Sequence, residues 1–222
     1  MTPIVTIDGP SGTGKGTIAD LLAARLGWHC LDSGALYRVL GLAAQRRGID
    51  LDDAEGLSHL AAGMDLSFRD SRVLLDGEDV SGLIRTEQAG QTASRVAAHG
   101  AVREVLLDWQ RARAREPGLV ADGRDMGSVV FPDAQVKIYL TASPEERARR
   151  RYKQLKDKGL DVSLAALVNE IRDRDERDST RSVAPLRAPE GSLTLDTTAS
   201  SIGDVLDRVL EAVRRVFPDA VG

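Results

Sequence analysis

Gly9-Pro10-Ser11-Gly12-Thr13-Gly14-Lys15-Gly16-Thr17 follows an apolar run, Ile4 to Ile7, and leads straight into a helical pattern marked by Ile18, Leu21, Leu22 and Leu26. Strand, glycine loop and helix in that order predict a phosphate-binding turn. The glycines let the backbone curl until successive N–H groups point inward at phosphate oxygens, and the helix start adds its positive field. Every residue from Gly9 to Thr17 is therefore a candidate contact to a nucleoside triphosphate, with Lys15 neutralising the outer phosphates. Arginine outnumbers lysine 25 to 5 in this chain, so a lysine at this place fits a need for a compact charge on a flexible stem. The loop departs from the usual pattern in one respect. Gly16 stands after the lysine, where a hydroxyl residue is ordinarily found, and Thr17 supplies the hydroxyl one position later, to a phosphate or to Mg²⁺.

Outward from the loop, apolar runs ending in glycine or aspartate recur at Ile4 to Ile7, His29 to Leu31, Leu119 to Ala121, Val136 to Leu140 and Leu193 to Leu195. Runs this short and continuous predict buried parallel strands. Amphipathic stretches near 15–26, 34–47, 100–115, 144–158 and 201–216 lie between and after them. The alternation predicts an α/β fold with a doubly wound parallel sheet. Ser143-Pro144-Glu145-Glu146 predicts a helix start, with an N-cap serine, a proline at the first helical position and a capping-box glutamate. The rhythm breaks near 63–84, where Asp65 to Arg69 and Arg72 to Val80, around an Asp76-Gly77 turn, predict a small β insert. The expected organisation is one domain over 1–222. Its core is 1–32, 100–145 and 182–222, with a region 33–99 that carries the insert and a lid with its adjoining helix over 146–181.

Composition narrows the function classes. With 222 residues, 42% hydrophobic and 29% charged, the chain is of ordinary globular character. A formal charge of −4 argues against a sequence-independent grip on nucleic acid, so any anion site is local. The single cysteine, Cys30, excludes an internal disulfide and fits a reducing compartment. With neither a basic leader nor a long apolar segment at the start, the expectation is a cytoplasmic chain without a membrane span.

Ligands of such sheets bind beyond the carboxyl ends of the strands. After Leu31 comes Asp32-Ser33-Gly34-Ala35-Leu36-Tyr37-Arg38, a capped helix start able to offer donors and an arginine to an anion. After Ala121 comes Asp122-Gly123-Arg124-Asp125-Met126-Gly127, a tight loop aiming both charges into a cleft. Leu164, Leu167, Val168 and Ile171 mark the inward stripe of a further helix. That stripe continues into Arg174, Asp175 and Asp178, with Arg181 one turn on, and charges that face the body of a protein need partners, which an anionic nucleotide would supply. The basic run Arg147, Arg149, Arg150, Arg151, Lys153, Lys156 and Lys158, before Gly159, predicts a mobile lid over the triphosphate. Phosphoryl transfer needs alignment and charge neutralisation above all. A phosphate acceptor is already ionised and needs no dedicated base, in keeping with the scattered placement of His29, His59 and His99.

Gly9 to Thr17, Asp32 to Arg38, Ala121 to Gly127 and Arg174 to Leu186, ending Val183-Ala184-Pro185-Leu186, together resemble the bacterial cytidylate kinases over nearly the whole chain. The β insert likewise resembles that group's extended monophosphate-binding lobe. The resemblance implies a P-loop kinase that transfers the γ-phosphoryl of ATP to CMP or dCMP with Mg²⁺, as a monomer in the cytoplasm. It implies Arg38, Arg124 and Arg181 as ligands of the acceptor phosphate, and Ser33, Arg103 and Asp125 as readers of the cytosine edge. Ser94, Arg174 and Asp178 are the implied sugar contacts, and Lys15, Arg124 and Arg181 the implied catalytic groups. Asp122 ends its strand as a magnesium-site aspartate would and is a candidate one step back from the metal. Two other readings stay open: a kinase for another nucleoside monophosphate or a metabolite hydroxyl, with Asp125 as base, and a GTPase-type switch. The second lacks the guanine-reading Asn-Lys-x-Asp, since Asn169, the chain's only asparagine, lies inside a helical run.

Overall fold

The computed structural model describes residues 2–69 and 72–220. In chain order the elements are β1 (Ile4–Asp8), α1 (Lys15–Leu26), β2 (His29–Asp32), α2 (Ser33–Arg47), α3 (Ala54–Gly63), β3 (Leu66–Arg69), β4 (Arg72–Leu75) and β5 (Glu78–Asp79). They continue with α4 (Glu87–Val96), α5 (Gly100–Arg111), β6 (Leu119–Gly123), β7 (Val136–Thr141), α6 (Pro144–Asp157), α7 (Leu164–Thr180), β8 (Leu193–Asp196) and α8 (Ile202–Val216). Contacts divide the chain into two compact units, one drawn from residues up to 31 and from 113 onward, the other from 32–112.

The first unit is built on a five-stranded sheet in the order β2-β6-β1-β7-β8. All five predicted strands are present, four reaching one residue and β6 two residues further toward the carboxyl end than the apolar run alone indicated. β1 runs parallel to β6, from Ile4 opposite Leu119 to Asp8 opposite Gly123, and parallel to β7 on its other side; β7 runs parallel to β8. A central strand is covered on both faces, so Val5 and Ile7 are fully buried, and so are Thr6 and Asp8. The core gathers Val5, Ile7, Ile138, Leu140 and Leu195 of the strands with Ile18 and Leu22 of α1 and Val205, Val209 and Val213 of α8. Because the strands are parallel, Asp8, Gly123, Thr141 and Asp196 end on one edge, and the loops that follow them gather there.

Helix starts in this unit obey capping rules, with one adjustment. Ser143 caps α6 by accepting from the Glu146 N–H at 3.2 Å, and Pro144 takes the first helical position. The Ser143 N–H, however, donates to Thr198 Oγ1, while the Glu146 carboxylate accepts from Arg149 and Arg150. The reciprocal half of the expected capping box is thus replaced by longer-range partners. A full capping box instead opens α8, between Ser201 and Asp204. On α7, Leu167 is buried and Ile171 half-buried as the stripe requires, but Leu164 lies at the first turn and is 40% exposed.

The second unit has its own core, formed by Leu36, Val39 and Leu40 of α2, Leu57 and Leu60 of α3, Val96 of α4 and Val102 and Leu106 of α5. The β insert is a three-stranded antiparallel sheet, β3-β4-β5. Asp76 and Gly77 both have positive φ and make the turn between β4 and β5, a conformation favoured by Asp-Gly. α3 and α4 flank the insert where the sequence reading placed no helices; Asp53 and Thr86 cap them. Helix α5, expected with the core sheet, packs with α3 in this unit.

Candidate active site

The glycine loop of the first unit begins where β1 ends. A side chain at Gly9 would meet the Leu140 carbonyl at 2.1 Å, and φ there is 153°, so only glycine lets the chain leave the sheet at that point. The loop is held from outside by its carbonyls. Gly9 O accepts from Arg124 at 3.2 Å, Pro10 O from the Thr13 hydroxyl at 3.2 Å, Ser11 O from Arg147 at 3.1 Å, and Thr13 O from the Thr197 hydroxyl at 3.0 Å. A loop whose carbonyls are drawn outward turns its amides inward, the arrangement that anions prefer. Gly14 caps α1 in the left-handed conformation, and Lys15 is its first helical residue.

Asp122, near the end of β6, lies beside the departure at position 16. It is buried, and its Oδ1 lies 3.9 Å from Lys15 Nζ. Its Oδ2 would lie 3.2 Å from a Cβ added at Gly16. A side chain directly after the lysine would come close to that carboxylate, and the hydroxyl of Thr17, one position later, is exposed on the first turn of α1.

The loop after β6 is tied to the glycine loop. Asp8 Oδ1 accepts from the Met126 N–H at 2.7 Å and Oδ2 from the Gly127 N–H at 2.8 Å. Arg124 donates both to Gly9 O and, through Nε, to Asp178 Oδ2 at 2.5 Å. Burial opposes the Arg124 charge, but Asp178, with Asp122 and Asp175 behind it, more than offsets this and raises its pKa. Arg181 pairs with Asp125 at 3.7 Å, both side chains nearly buried, and its Nε donates to Ala184 O. Arg174 lies 3.9 Å from Asp178. Six of the predicted residues, Asp122, Arg124, Asp125, Arg174, Asp178 and Arg181, thus join the glycine loop in one unit.

The inward charges on α7 also have partners within the protein: Arg124 for Asp178, Asp125 for Arg181 and Arg147 for Asp175. Arg147 also departs from the picture of a mobile basic lid. Its side chain is 3% exposed, with Nε on Ala142 O and NH1 on Ser11 O, and it grips Asp175 through both terminal nitrogens. Arg150 is held by Thr13 O and by Thr197. Arg149, by contrast, is exposed.

In the second unit, Asp32 caps α2 by accepting from the Ala35 N–H at 2.9 Å. Ser33 is buried and donates to Gln110 Oε1 at 2.9 Å. Arg38 donates to Ile84 O at 2.9 Å. Arg103, buried on α5, donates to Ala97 O and lies over the Tyr37 ring, 5.5 Å from its centroid. Ser94 is buried on α4.

Sequence reasoning missed Asp8, Gln110, Tyr37 and Thr197. Asp8 alone left a signal, an aspartate ending an apolar strand directly before the glycine loop. Gln110 sits inside an amphipathic helix where nothing in its spacing marks it, while Tyr37 stands within the run from Asp32 to Arg38 with no role of its own assigned. Among the described residues, no three His, Cys, Asp or Glu side chains cluster as a protein-only metal site would require.

The family model described as cytidylate kinase matches residues 5–215. A cytidylate kinase of Aeromonas salmonicida is 57% identical, covering 99% of this chain and 97% of the relative. A cytidylate kinase of Pseudomonas syringae pv. syringae is 58% identical, covering 95% of each. Among solved structures, a gluconokinase from Sinorhizobium meliloti superposes with a TM-score of 0.52 at 14% identity, over 98% of this chain and 95% of that one, a likeness of fold alone. With its phosphate loop, the paired arginines behind it and relatives of this identity along its whole length, the chain belongs to the cytidylate kinase family.

Proposed function

We propose that this chain transfers the γ-phosphoryl of ATP to CMP and dCMP, yielding ADP with CDP or dCDP. The observation that carries the reading is the stitching of the phosphate loop to Arg124 and its neighbours, in a chain of this family. A phosphate oxygen of the acceptor forms the new P–O bond as the bond from the γ-phosphorus to the β–γ bridging oxygen breaks, and the charge spreads over equatorial oxygens. Lys15 neutralises the donor phosphates, and Arg124 and Arg181 the transferring group and the acceptor phosphate. Arg38 is a further phosphate ligand. Ser33, Arg103 and Asp125 read the cytosine edge, where a carboxylate suits the exocyclic amino group and arginine or hydroxyl donors suit the ring carbonyl and nitrogen. Ser94, Arg174 and Asp178 hold the sugar.

The residues present fit Mg²⁺. The Thr17 hydroxyl and the buried Asp122 carboxylate are hard oxygen donors beside the phosphate loop, and this metal is commonly held by one or two protein groups together with substrate phosphates. When bound, it neutralises charge on the transferring phosphate. No helix among the described residues is long and apolar enough to cross a membrane. The same reading makes the protein a cytoplasmic monomer acting on small molecules, without nucleic acid or membrane.

The test is ADP release with ATP, Mg²⁺ and a panel of CMP, dCMP, UMP, AMP, GMP and dTMP. Turnover confined largely to CMP and dCMP is the expected result. Turnover centred on another monophosphate would retain the kinase and discard the base-reading residues.

A further inference from the structure

Asp8 has no place in the transfer scheme above, yet it is fully buried and spends both carboxylate oxygens on consecutive amides 118 and 119 residues away. Two N–H donors side by side call for two acceptors, which only a carboxylate of this length provides. Immediately after Asp8, Gly9 O accepts from Arg124. The loop 124–127 is therefore held at both ends by two adjacent residues of β1 and the glycine loop, with Asp125 between the fixed points. Met126 is wholly buried, and a Cβ on Gly127 would come within 2.7 Å of Thr6 Oγ1, so the loop lies flat on β1.

We propose that Asp8 is a positioning residue, a latch that sets the Arg124–Asp125 pair at a fixed distance from the donor phosphates. The inference rests on the assignment of Arg124 and Asp125 to the acceptor. Displacing a positioned group by about 1 Å can cost roughly a hundredfold in rate, so a loosened latch shows in the acceptor's kinetics although Asp8 touches no substrate. Asparagine there offers one acceptor and turns an amino group toward the second N–H; glutamate is one methylene too long.

The latch is also titratable. Burial, against the two amide bonds, pushes the Asp8 pKa up to about 7; Asp125 adds to the rise and Lys15 opposes it. Tyr139 lies opposite Asp8 on β7, with Lys137 two residues back on the same strand, near Gly127, and burial raises the Tyr139 pKa. Deprotonation strengthens the grip on both amides, so the latch closes as pH rises through 7.

The experiment has two arms. In the first, amide resonances of Met126 and Gly127 are followed in the wild-type protein from about pH 5.5 to 8.5. Both are expected to shift with one midpoint near 7, whereas unmoved amides would overturn the latch. In the second, Asp8→Asn is compared with wild type in kcat/KM for CMP and in KM for ATP over the same range. Substrate ionisation is common to both proteins and cancels in the ratio. The expected ratio of wild type to variant in kcat/KM for CMP reaches about a hundredfold above pH 7.5 and shrinks toward pH 6, with KM for ATP little changed. A ratio near one throughout, or one flat with pH alongside a lowered thermal midpoint, would leave Asp8 a structural residue only. If Asp8→Asn does not fold, the wild-type amide titration decides alone. Should Asp125→Ala leave CMP kinetics unaltered, the acceptor assignment falls, while the amide titration still reports on Asp8 itself.

Discussion

At the scale of single residues, the site is a set of charges paired with one another. Asp125 pairs with Arg181, and Asp178 with Arg124 and Arg174, so Arg124 and Arg181, proposed for phosphate, are held in place by carboxylates. A hydrogen bond to a charged group contributes about 1.5–3 kcal/mol. Asp125→Ala is accordingly expected to raise KM for CMP roughly ten- to a hundredfold while ATP binding, measured by titration of the same variant, stays near wild type. Unchanged CMP kinetics would remove Asp125 from the acceptor site. Asp8 predicts a pH effect on stability as well. Its pKa in the fold, about 7, exceeds the ordinary 3.8, so between those values the fold retains a proton that the unfolded chain has lost. This group's contribution is greatest below about pH 4, falls as pH rises through that window and is least above 7. In denaturant titrations at about pH 5.5 and 8, wild type should lose stability relative to Asp8→Asn, by about 2 kcal/mol over that range. A difference that is constant with pH would contradict the raised pKa.

At the scale of elements, the strands and the principal helices of the sheet were legible because buried parallel strands and amphipathic helices leave strong periodic marks, whereas the order of strands in the sheet was not. α3 and α4 were not, since each is short and set among Gly, Ala, Ser and Thr residues whose apolar pattern is thin. Legibility failed in another way on α6. Its basic run reads as one solvated face, but geometry separates it. Arg147 is buried and joins α6, α7 and the glycine loop through Asp175, Ala142 O and Ser11 O, whereas Arg149 meets solvent. No charge pattern distinguishes two such arginines, because the difference lies in partners remote in sequence. Removing one partner of a buried pair costs about 3–5 kcal/mol. Asp175 retains 27% exposure, which places Arg147→Ala near the lower end. The expected result is a loss of about 3 kcal/mol in chemical denaturation. Arg149→Ala should be nearly silent, as a surface pair contributes about 0–1 kcal/mol. Equal effects of the two substitutions would refute the division.

At the scale of the whole molecule, the two units differ in how their candidate residues came to light. In the first unit, Lys15, Asp122, Arg124 and Asp125 sit at or just beyond strand ends, the place any parallel sheet offers for ligands, so they could be picked out from position alone, whereas Arg174 and Asp178 lie on α7. Ser94 and Arg103 of the second unit lie within helices α4 and α5, where a functional polar residue looks like any other, and only the family resemblance singled them out. The metal separates function from fold in a similar way. No cluster of three acidic, His or Cys side chains is present among the described residues, and the proposed oxygen donors, Thr17 and Asp122, suffice for Mg²⁺ only alongside nucleotide phosphates. A metal that arrives with the nucleotide stabilises only the nucleotide-bound protein, because ligand stabilisation grows with its occupancy of the folded state. Adding EDTA should therefore abolish phosphoryl transfer yet leave the thermal midpoint of the nucleotide-free protein unchanged. With ATP present, Mg²⁺ should raise that midpoint above the value with ATP alone. A fall in the nucleotide-free midpoint on chelation would instead mean that the fold itself holds a metal, and the assignment of Thr17 and Asp122 as partners of a nucleotide-borne ion would be withdrawn.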